Sequence, residues 1–448
     1  MSEGLGVIVL AAGKGTRMRS ALPKVLHPIA GTPMVQYVID AARALEPARI
    51  AVVVGHGAEQ VREALNAPDL QFVDQPEQLG TADAVGRCRE ALADCDRILT
   101  LTGDTPLVES GLLADLVAAL AQAPVTFVTA NVTDATHLGR VRRDARGAVE
   151  AITEAGEASS SEGTEINAGQ LCFEADWLWA HLDSVAPSAS GERYHTKLPA
   201  AAYAEGRPAA TVAADATTIL GVDDRANLAK AEALMRQRLI AGHLEAGVTF
   251  TDASTVYVDR EVRLAADVRI EPNCYLCGTT AVAAGAVVGP GATLRNATIG
   301  TDSSVQHSVV EDSAVGARTV VGPFAHIRGG ATIGDDCEIH NYAEVKNSVV
   351  GNGVKMHHFS YLGDANVGEG TNLGAGMVTV NFDGTAKHRT AIGKNAFVGC
   401  DTMLIAPVSI GDGAFTAAGA VVTRDVAAGM RVAGVPAREL KPKHEGRA

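Results

Sequence analysis

The sequence predicts an α/β domain followed by a parallel β-helix, with one helix joining them. Three observations carry this. Between Gly6 and Ala130 short apolar runs alternate with helical patterns. Residues 225–246 (RANLAKAEALMRQRLIAGHLEA) are rich in Ala, Leu and charged residues at helical spacing, and Gly247 stops the pattern. From Val315 to Val345 an aliphatic residue recurs every sixth position: Val315, Val321, Ile327, Ile333, Ile339 and Val345. Neither a helix nor an ordinary strand sustains a period of six; a coil built from three six-residue sides does.

Residues 6–10 (GVIVL) read as a strand buried in a parallel sheet. The strand runs into Ala11-Ala12-Gly13-Lys14-Gly15-Thr16-Arg17-Met18, a glycine-rich loop carrying cations. Such a loop suits phosphate, because backbone amides approach closely while Lys14 and Arg17 supply charge. Alone it is a weak signal, and a plain strand-to-helix turn reads the same way. Helical patterns follow at Met34–Leu45, Ala58–Leu65, Thr81–Leu92 and Leu112–Ala121. Strands are expected at Arg49–Val54, Leu70–Asp74, Arg97–Thr102 and Val125–Ala130, with a further short one at Thr217–Val222. The alternation implies right-handed crossovers and a mostly parallel sheet, with the ligand beyond the carboxyl ends of the strands. Asp104 directly follows one strand, and Asp223-Asp224 follows another. Two carboxylates from separate strand ends can hold Mg²⁺ against a triphosphate, although a lone one is as often a helix cap.

The six-residue beat extends upstream through Phe250, Val256, Val262, Val268 and Cys274, then Val282, Val288 and Leu294. Downstream it returns at Ile392, Val398, Leu404, Ile410, Thr416 and Val422. Its phase slips at 295–315 and 376–391, where loops are expected to leave the coil.

Composition bounds the function. A net charge of −14 makes nucleic acid and anionic membrane poor partners, so anionic substrates need locally basic pockets. Seven scattered cysteines and no secretion-like start point to reduced thiols in a cytoplasm. Cys274 and Cys277 form a lone C-x-x-C with Cys274 on the six-residue beat, which favours packing over metal.

Read together, LAAGKGTRM…LPKVLH at 10–27, EQLGTADA at 77–84, GDTPL at 103–107 and EINAG at 165–169, followed by GPFAHIRGGA, EVKNS, HHFSYLGD and NLGAGMVTVNFDG, resemble one family over nearly the whole chain. It is the bacterial family of bifunctional N-acetylglucosamine-1-phosphate uridylyltransferases and glucosamine-1-phosphate N-acetyltransferases. The resemblance implies a Rossmann-like nucleotidyltransferase domain at 1–224, a linker helix at 225–247, a left-handed β-helix of hexapeptide repeats at 248–440 and a short tail at 441–448. It implies UTP and acetyl-CoA as co-substrates, Mg²⁺, a homotrimer and a cytoplasmic location. In the first site Leu10, Ala11, Ala12 and Gly13 with Arg17 and Lys24 would hold the triphosphate. Gln75, Gln78, Gly80 and Thr81 would face uracil, Gly139, Glu154 and Asn167 the sugar, and Asp104 and Asp223 the metal. In the second site His358 would be the base, a role histidine fills near neutral pH. Its neighbour His357 is set aside only because Tyr361-Leu362-Gly363-Asp364 aligns His358. Arg328, Lys346, Tyr361, Asn372 and Lys387 would grip the sugar phosphate, and Ala375, Asn381, Phe382, Cys400 and Ala418 would line the acetyl donor.

The sequence departs from the family pattern at several positions. Asp223 stands for the usual asparagine, Phe382 for tyrosine, Cys400 for serine and Lys197 for an acidic residue. Around Gly434, Arg431 or Arg438 would replace the arginine expected for the coenzyme phosphates. Two rival readings are a nucleotidyltransferase for another sugar or base with a regulatory β-helix, and a non-enzymatic nucleotide-binding scaffold. Intact Arg17, Lys24 and Asp104 oppose the second rival, and His358 with Arg328 and Lys346 opposes the first.

Overall fold

The computed structural model describes residues 4–135, 138–154, 164–188 and 191–440; the tail at 441–448 lies outside them. The chain forms two compact units that divide at Met235 and Arg236, within the helix Arg225–Glu245.

The first unit is built on a sheet in the order Ala210–Ala213, Val125–Asn131, Glu165–Glu174, Arg97–Thr102, Leu5–Leu10, Arg49–Val54, Leu70–Asp74. Leu5–Leu10 pairs in parallel with strands on both sides, and its residues are buried on both faces, as its unbroken apolar run requires. Glu165–Glu174 is antiparallel to both its neighbours and also pairs with the hairpin Arg140–Arg143 and Val149–Thr153. Two apolar clusters fill the unit, one around Val7, Val52 and Leu101 and the other around Ile8, Phe127 and Phe173.

One expected strand is absent. Residues 217–222 carry turn and irregular backbone, and the edge strand is instead Ala210–Ala213. The reason is local. Asp215 Oδ1 accepts from the Thr217 amide at 2.7 Å and its carbonyl from the Thr218 amide at 3.0 Å, which closes a turn where β pairing would begin. The helix Thr81–Arg87 is also shorter than its apolar pattern, whereas Ser110–Ala118 continues as the 3-10 helix Ala119–Gln122 and covers its own.

The second unit is a parallel β-helix whose three faces are sheets of 12, 10 and 9 strands. Its core is one aliphatic column per face, and Val315, Val321, Ile327, Ile333, Ile339 and Val345 are all buried. Cys274 belongs to this core, with its thiol 3.6 Å from the Val288 carbonyl.

The two slips in the beat have different causes. At 376–391 a loop does leave the coil, between Val378–Val380 and Thr390–Ile392. At 295–315 none does: Leu294, Ile299, Val305, Val310 and Val315 are five, six, five and five residues apart because corners are shortened. Asn296 and Asp312 take the left-handed conformation (φ 48° and 47°) at such corners, which a short polar side chain tolerates. Asn296 Nδ2 donates to Asp312 Oδ1 at 2.9 Å, tying one coil to the next.

Candidate active sites

The first cleft opens at the carboxyl ends of the parallel strands. It has a volume of about 240 Å³, and Leu10, Ala11, Ala12, Gly13, Lys24, Gln75, Gln78, Gly80, Thr81 and Asp104 all line it. Lys24 starts the short 3-10 turn Lys24–Leu26. Gly15, at φ 58°, lets the loop fold over it, since a Cβ there would lie 2.6 Å from Lys24 Cβ.

The Lys24 ammonium bridges two carboxylates, contacting Asp104 Oδ2 and lying 2.9 Å from Asp223 Oδ1. Arg17 reaches the other Asp223 oxygen at 3.1 Å. Burial opposes charge on Asp223 and on Lys24, yet their attraction wins: Asp223 is held below the usual carboxylate range and Lys24 above the usual amine range. Asp224, next along, instead caps the helix Arg225–Glu245, accepting from the Asn227 amide at 2.8 Å.

Gln75 is buried and its amide donates to the Gly80 carbonyl at 3.0 Å and to Asp83 Oδ2 at 2.8 Å. With its N–H groups committed, Gln75 meets a ligand as an acceptor. Thr81 is fixed by His195, whose backbone amide donates to Thr81 Oγ1 at 3.2 Å. Thr100 donates to the Leu171 carbonyl, so it accepts from His195 Nε2 at 3.1 Å, leaving Nδ1 to accept from Thr81 at 2.8 Å. Burial lowers His195 to about 4, so this ring is neutral.

Gly139, Glu154 and Asn167 adjoin one another and are not among the residues that line the cleft. The Asn167 amide donates to the Gly139 carbonyl at 2.9 Å, and Glu154 Oε1 accepts from Thr196. Glu192 and Tyr194, absent from the expected site, do line the cleft, with the Tyr194 hydroxyl on Glu192. The stretch Glu192–Lys197 was legible only as a departure from the family pattern. What brings it in is Gly80, where a Cβ would meet the Arg193 carbonyl oxygen at 2.3 Å at a φ of 101°.

The second group of residues lies on the β-helix. Arg328, Lys346 and Gly363 are in register on three successive coils of one face, and the Tyr361 ring lies over Gly363. Arg328 is paired with Glu344. Lys346 is crowded first by Lys387 and then by Arg328, which holds its ammonium below its usual range. Lys387 comes from the loop that leaves the coil, where it bridges to Phe382. In the same loop Asp383 accepts from the amides of Thr385 and Ala386 and from His388 Nε2, and these bonds hold its carboxyl far below the usual range. Asn381 at the loop base is buried and donates to Asp364 Oδ2 at 2.5 Å.

His358 is exposed, at the corner between the strands Lys355–Met356 and Ser360–Gly363. The same corner recurs on the coils above. The Gly376 amide donates to the Phe359 carbonyl at 2.7 Å, Asp401 to Ala375 at 2.7 Å and Gly419 to Cys400 at 2.8 Å. His358, Ala375, Cys400 and Ala418 therefore share one edge of the prism. Asn372 lies on the neighbouring face, in register with Lys355. Of the two arginines considered for the coenzyme, Arg431 lies 4.0 Å over the Phe415 ring, while Arg438 donates to the Ala437 carbonyl at 3.1 Å.

A nucleotidyltransferase-type α/β unit with cations and carboxylates at its strand ends, followed by a hexapeptide β-helix, defines a two-module transferase. Residues 7–165 match the MobA-like NTP transferase domain family, and residues 312–347 and 389–424 match the bacterial transferase hexapeptide (six repeats) family. The chain is 42% identical to the bifunctional protein GlmU of Brevibacillus brevis, over 94% of this chain and 92% of that one. It is 43% identical to that of Pelobacter propionicus, over 95% of each, and 42% identical to that of Burkholderia thailandensis, over 96% of each. The chain belongs to the bifunctional GlmU family.

Proposed function

We propose that the Lys24 cleft performs uridylyl transfer and the His358 edge performs acetyl transfer, in a bifunctional synthesis of UDP-N-acetylglucosamine. The chain is a transferase with a nucleotidyltransferase module and a hexapeptide acyltransferase module. Acetyl-CoA and glucosamine 1-phosphate enter the second, and UTP with its product enters the first.

On the β-helix, Arg328, Lys346 and Lys387 hold the sugar phosphate, with Tyr361 and Asn372 orienting the ring. The observation that carries this is the crowding of Lys346 by two cations, which a phosphate dianion relieves. His358 takes a proton from the ammonium or the attacking amine. The nitrogen bonds to the thioester carbonyl carbon, the C–S bond breaks, and the sulfur leaves as a thiol carrying one of the two protons that nitrogen sheds, passed on by His358, while the other goes to water. Ala375, Cys400 and Ala418 lie along the edge that the acetyl donor follows, with Asn381 and Phe382 beside it.

In the first unit the product's phosphate oxygen attacks the α-phosphorus of UTP, and the α–β anhydride breaks to release diphosphate. The nucleophile is already an anion, so positioning and charge carry this step. Leu10, Ala11, Ala12 and Gly13 approach the phosphates with backbone, while Arg17 and Lys24 supply charge. Gln75, Gln78, Gly80 and Thr81 face uracil, and Gly139, Glu154 and Asn167 the N-acetyl sugar. Asp104 and Asp223 fit magnesium, because both present hard oxygen donors that already converge on one cation, the Lys24 ammonium. Bound there, magnesium would neutralise phosphate charge.

A homotrimer and a cytoplasmic location complete the reading. The hexapeptide repeats support assembly. Among the described residues no helix is long and apolar enough to cross a membrane. Light scattering of the purified chain tests the trimer. The function is tested by assaying both reactions on one preparation. His358→Ala should lower acetyl transfer by roughly 10²–10⁴-fold and leave diphosphate release from UTP intact. Loss of both activities, or of neither, overturns the assignment.

A further inference from the structure

Three side chains beside the His358 corner form a cluster that neither reaction uses. Glu338 and His340 belong to one coil and His357 to the next, since Glu338 pairs in register with Lys355. One carboxylate oxygen and one nitrogen of each ring lie within 4.8 Å of one another. Glu338 Oε2 is 2.7 Å from His357 Nε2 and 3.7 Å from His340 Nε2.

Each donor is oriented. His340 Nδ1 lies 2.9 Å from the Gly322 carbonyl, which can only accept, so Nδ1 carries the proton and Nε2 presents its lone pair. Lys355 holds Glu338 Oε1 at 3.1 Å, turning Oε2 toward the rings. His357 Nε2 is shielded from solvent and faces Oε2 at 2.7 Å.

The donor set selects the cation. Two imidazoles and one carboxylate, with a fourth position open, suit a tetrahedral zinc-class ion, whereas magnesium and calcium prefer oxygen throughout. Ligands 2.0–2.1 Å from zinc stand about 3.3 Å apart, so the observed 2.7 and 3.7 Å separations need adjustments below about 1 Å, and the two ring nitrogens, within 4.8 Å of each other, close by at most about 1.5 Å. The three side chains are each partly exposed, which leaves an entry path. The competing description is an ordinary ion pair between Glu338 and a protonated His357 on a solvated face.

We propose that Glu338, His340 and His357 bind a divalent transition-metal ion of the zinc class, separate from Asp104 and Asp223, and that the ion ties two successive coils together immediately before His358. The site is a property of this chain's own residues and does not depend on either reaction.

The test is equilibrium dialysis of the metal-free full-length protein against zinc chloride with excess magnesium, comparing wild type with Glu338→Gln and with the double variant His340→Ala/His357→Ala. Wild type should retain one more zinc per chain than either variant, and zinc should raise its Tm but not theirs. The affinity loss should exceed the roughly 10–100-fold that losing a mere supporting group costs. Cobalt(II) in the site should give d–d bands without thiolate charge transfer, which separates it from zinc on cysteines. Far-UV circular dichroism of the variants in the absence of metal checks their folding. Equal zinc uptake by all three proteins, or a cobalt spectrum dominated by thiolate, overturns the proposal and leaves the ion pair.

Discussion

The two transferase regions hold their charges in opposite ways. In the α/β cleft, Lys24 and Arg17 are matched by Asp104 and Asp223, so the resting site is an internally neutralised network. On the β-helix, Lys346 and Lys387 crowd each other beside Arg328, and His358 stands exposed at a corner. The cleft must exchange internal ion pairs for contacts with its ligand, whereas the edge presents an excess of positive charge ready for phosphate. The first site is thereby specific through rearrangement, and the second attracts its anion directly.

Within the α/β cleft, the largest expected effect tests the paired network. Lys24→Ala leaves Asp104 and Asp223 facing each other and removes charge from the transferring phosphoryl group. Diphosphate release should fall roughly 10²–10³-fold, and acetyl transfer should be unchanged; a parallel loss of both activities would break the comparison. Next comes the backbone that shapes the cleft. Gly80→Ala should destabilise the first unit by at least about 3 kcal/mol, combining left-handed strain with a collision on Arg193. Denaturant melts read by a probe in that unit would measure it, and a wild-type midpoint would show that Arg193 gives way easily.

Protonation of His195 gives an effect of similar size with a definite sign. Its pKa is about 4 folded against 6.5 unfolded, so the unfolded chain binds the extra proton between those values. Stability of the first unit should therefore be intact above pH 6.5 and fall as the pH drops toward 4, by on the order of 3 kcal/mol. His195→Gln should flatten that part of the profile; an unchanged slope would assign it to other groups. On the open edge, Lys346→Ala should raise KM for glucosamine 1-phosphate by roughly tenfold, a loss of 1–2 kcal/mol, with a smaller change in kcat. The smallest effect belongs to Asp223→Asn. It removes the Arg17 pair and weakens the Lys24 contact, yet keeps an oxygen for a cation, so kcat/KM of uridylyl transfer should change by less than about tenfold.

How legible the sites were differs between the units for a physical reason. The β-helix coil repeats at a nearly constant length apart from shortened corners and the loop at 376–391, so spacing in sequence largely gives position in space. His358, Ala375, Cys400 and Ala418 fall on one edge because each is one coil further along. Corner shortening at Asn296 and Asp312 disguised itself as a loop only because a missing residue and an inserted one both shift the phase. In the α/β unit the cleft gathers residues from distant strand ends, and only the motifs with local chemistry were readable. Glu192 and Tyr194 arrive through the contact of Gly80 with Arg193, which no local spacing encodes. The Thr217–Val222 run looked like a strand because apolar alternation says nothing of a partner, and Asp215 had already turned the chain.

By itself the sequence determined the two modules, the period of the coil and the identities of the cations and carboxylates that do chemistry. These are local or periodic properties, set by side-chain type and by the constant length of a repeat. The tertiary structure alone decided which charges neutralise each other, that His195 is a buried neutral support for Thr81, and that Glu338, His340 and His357 converge. Those outcomes depend on distances between residues 17 to nearly 200 positions apart, and such distances are fixed only when the sheet and the coils close.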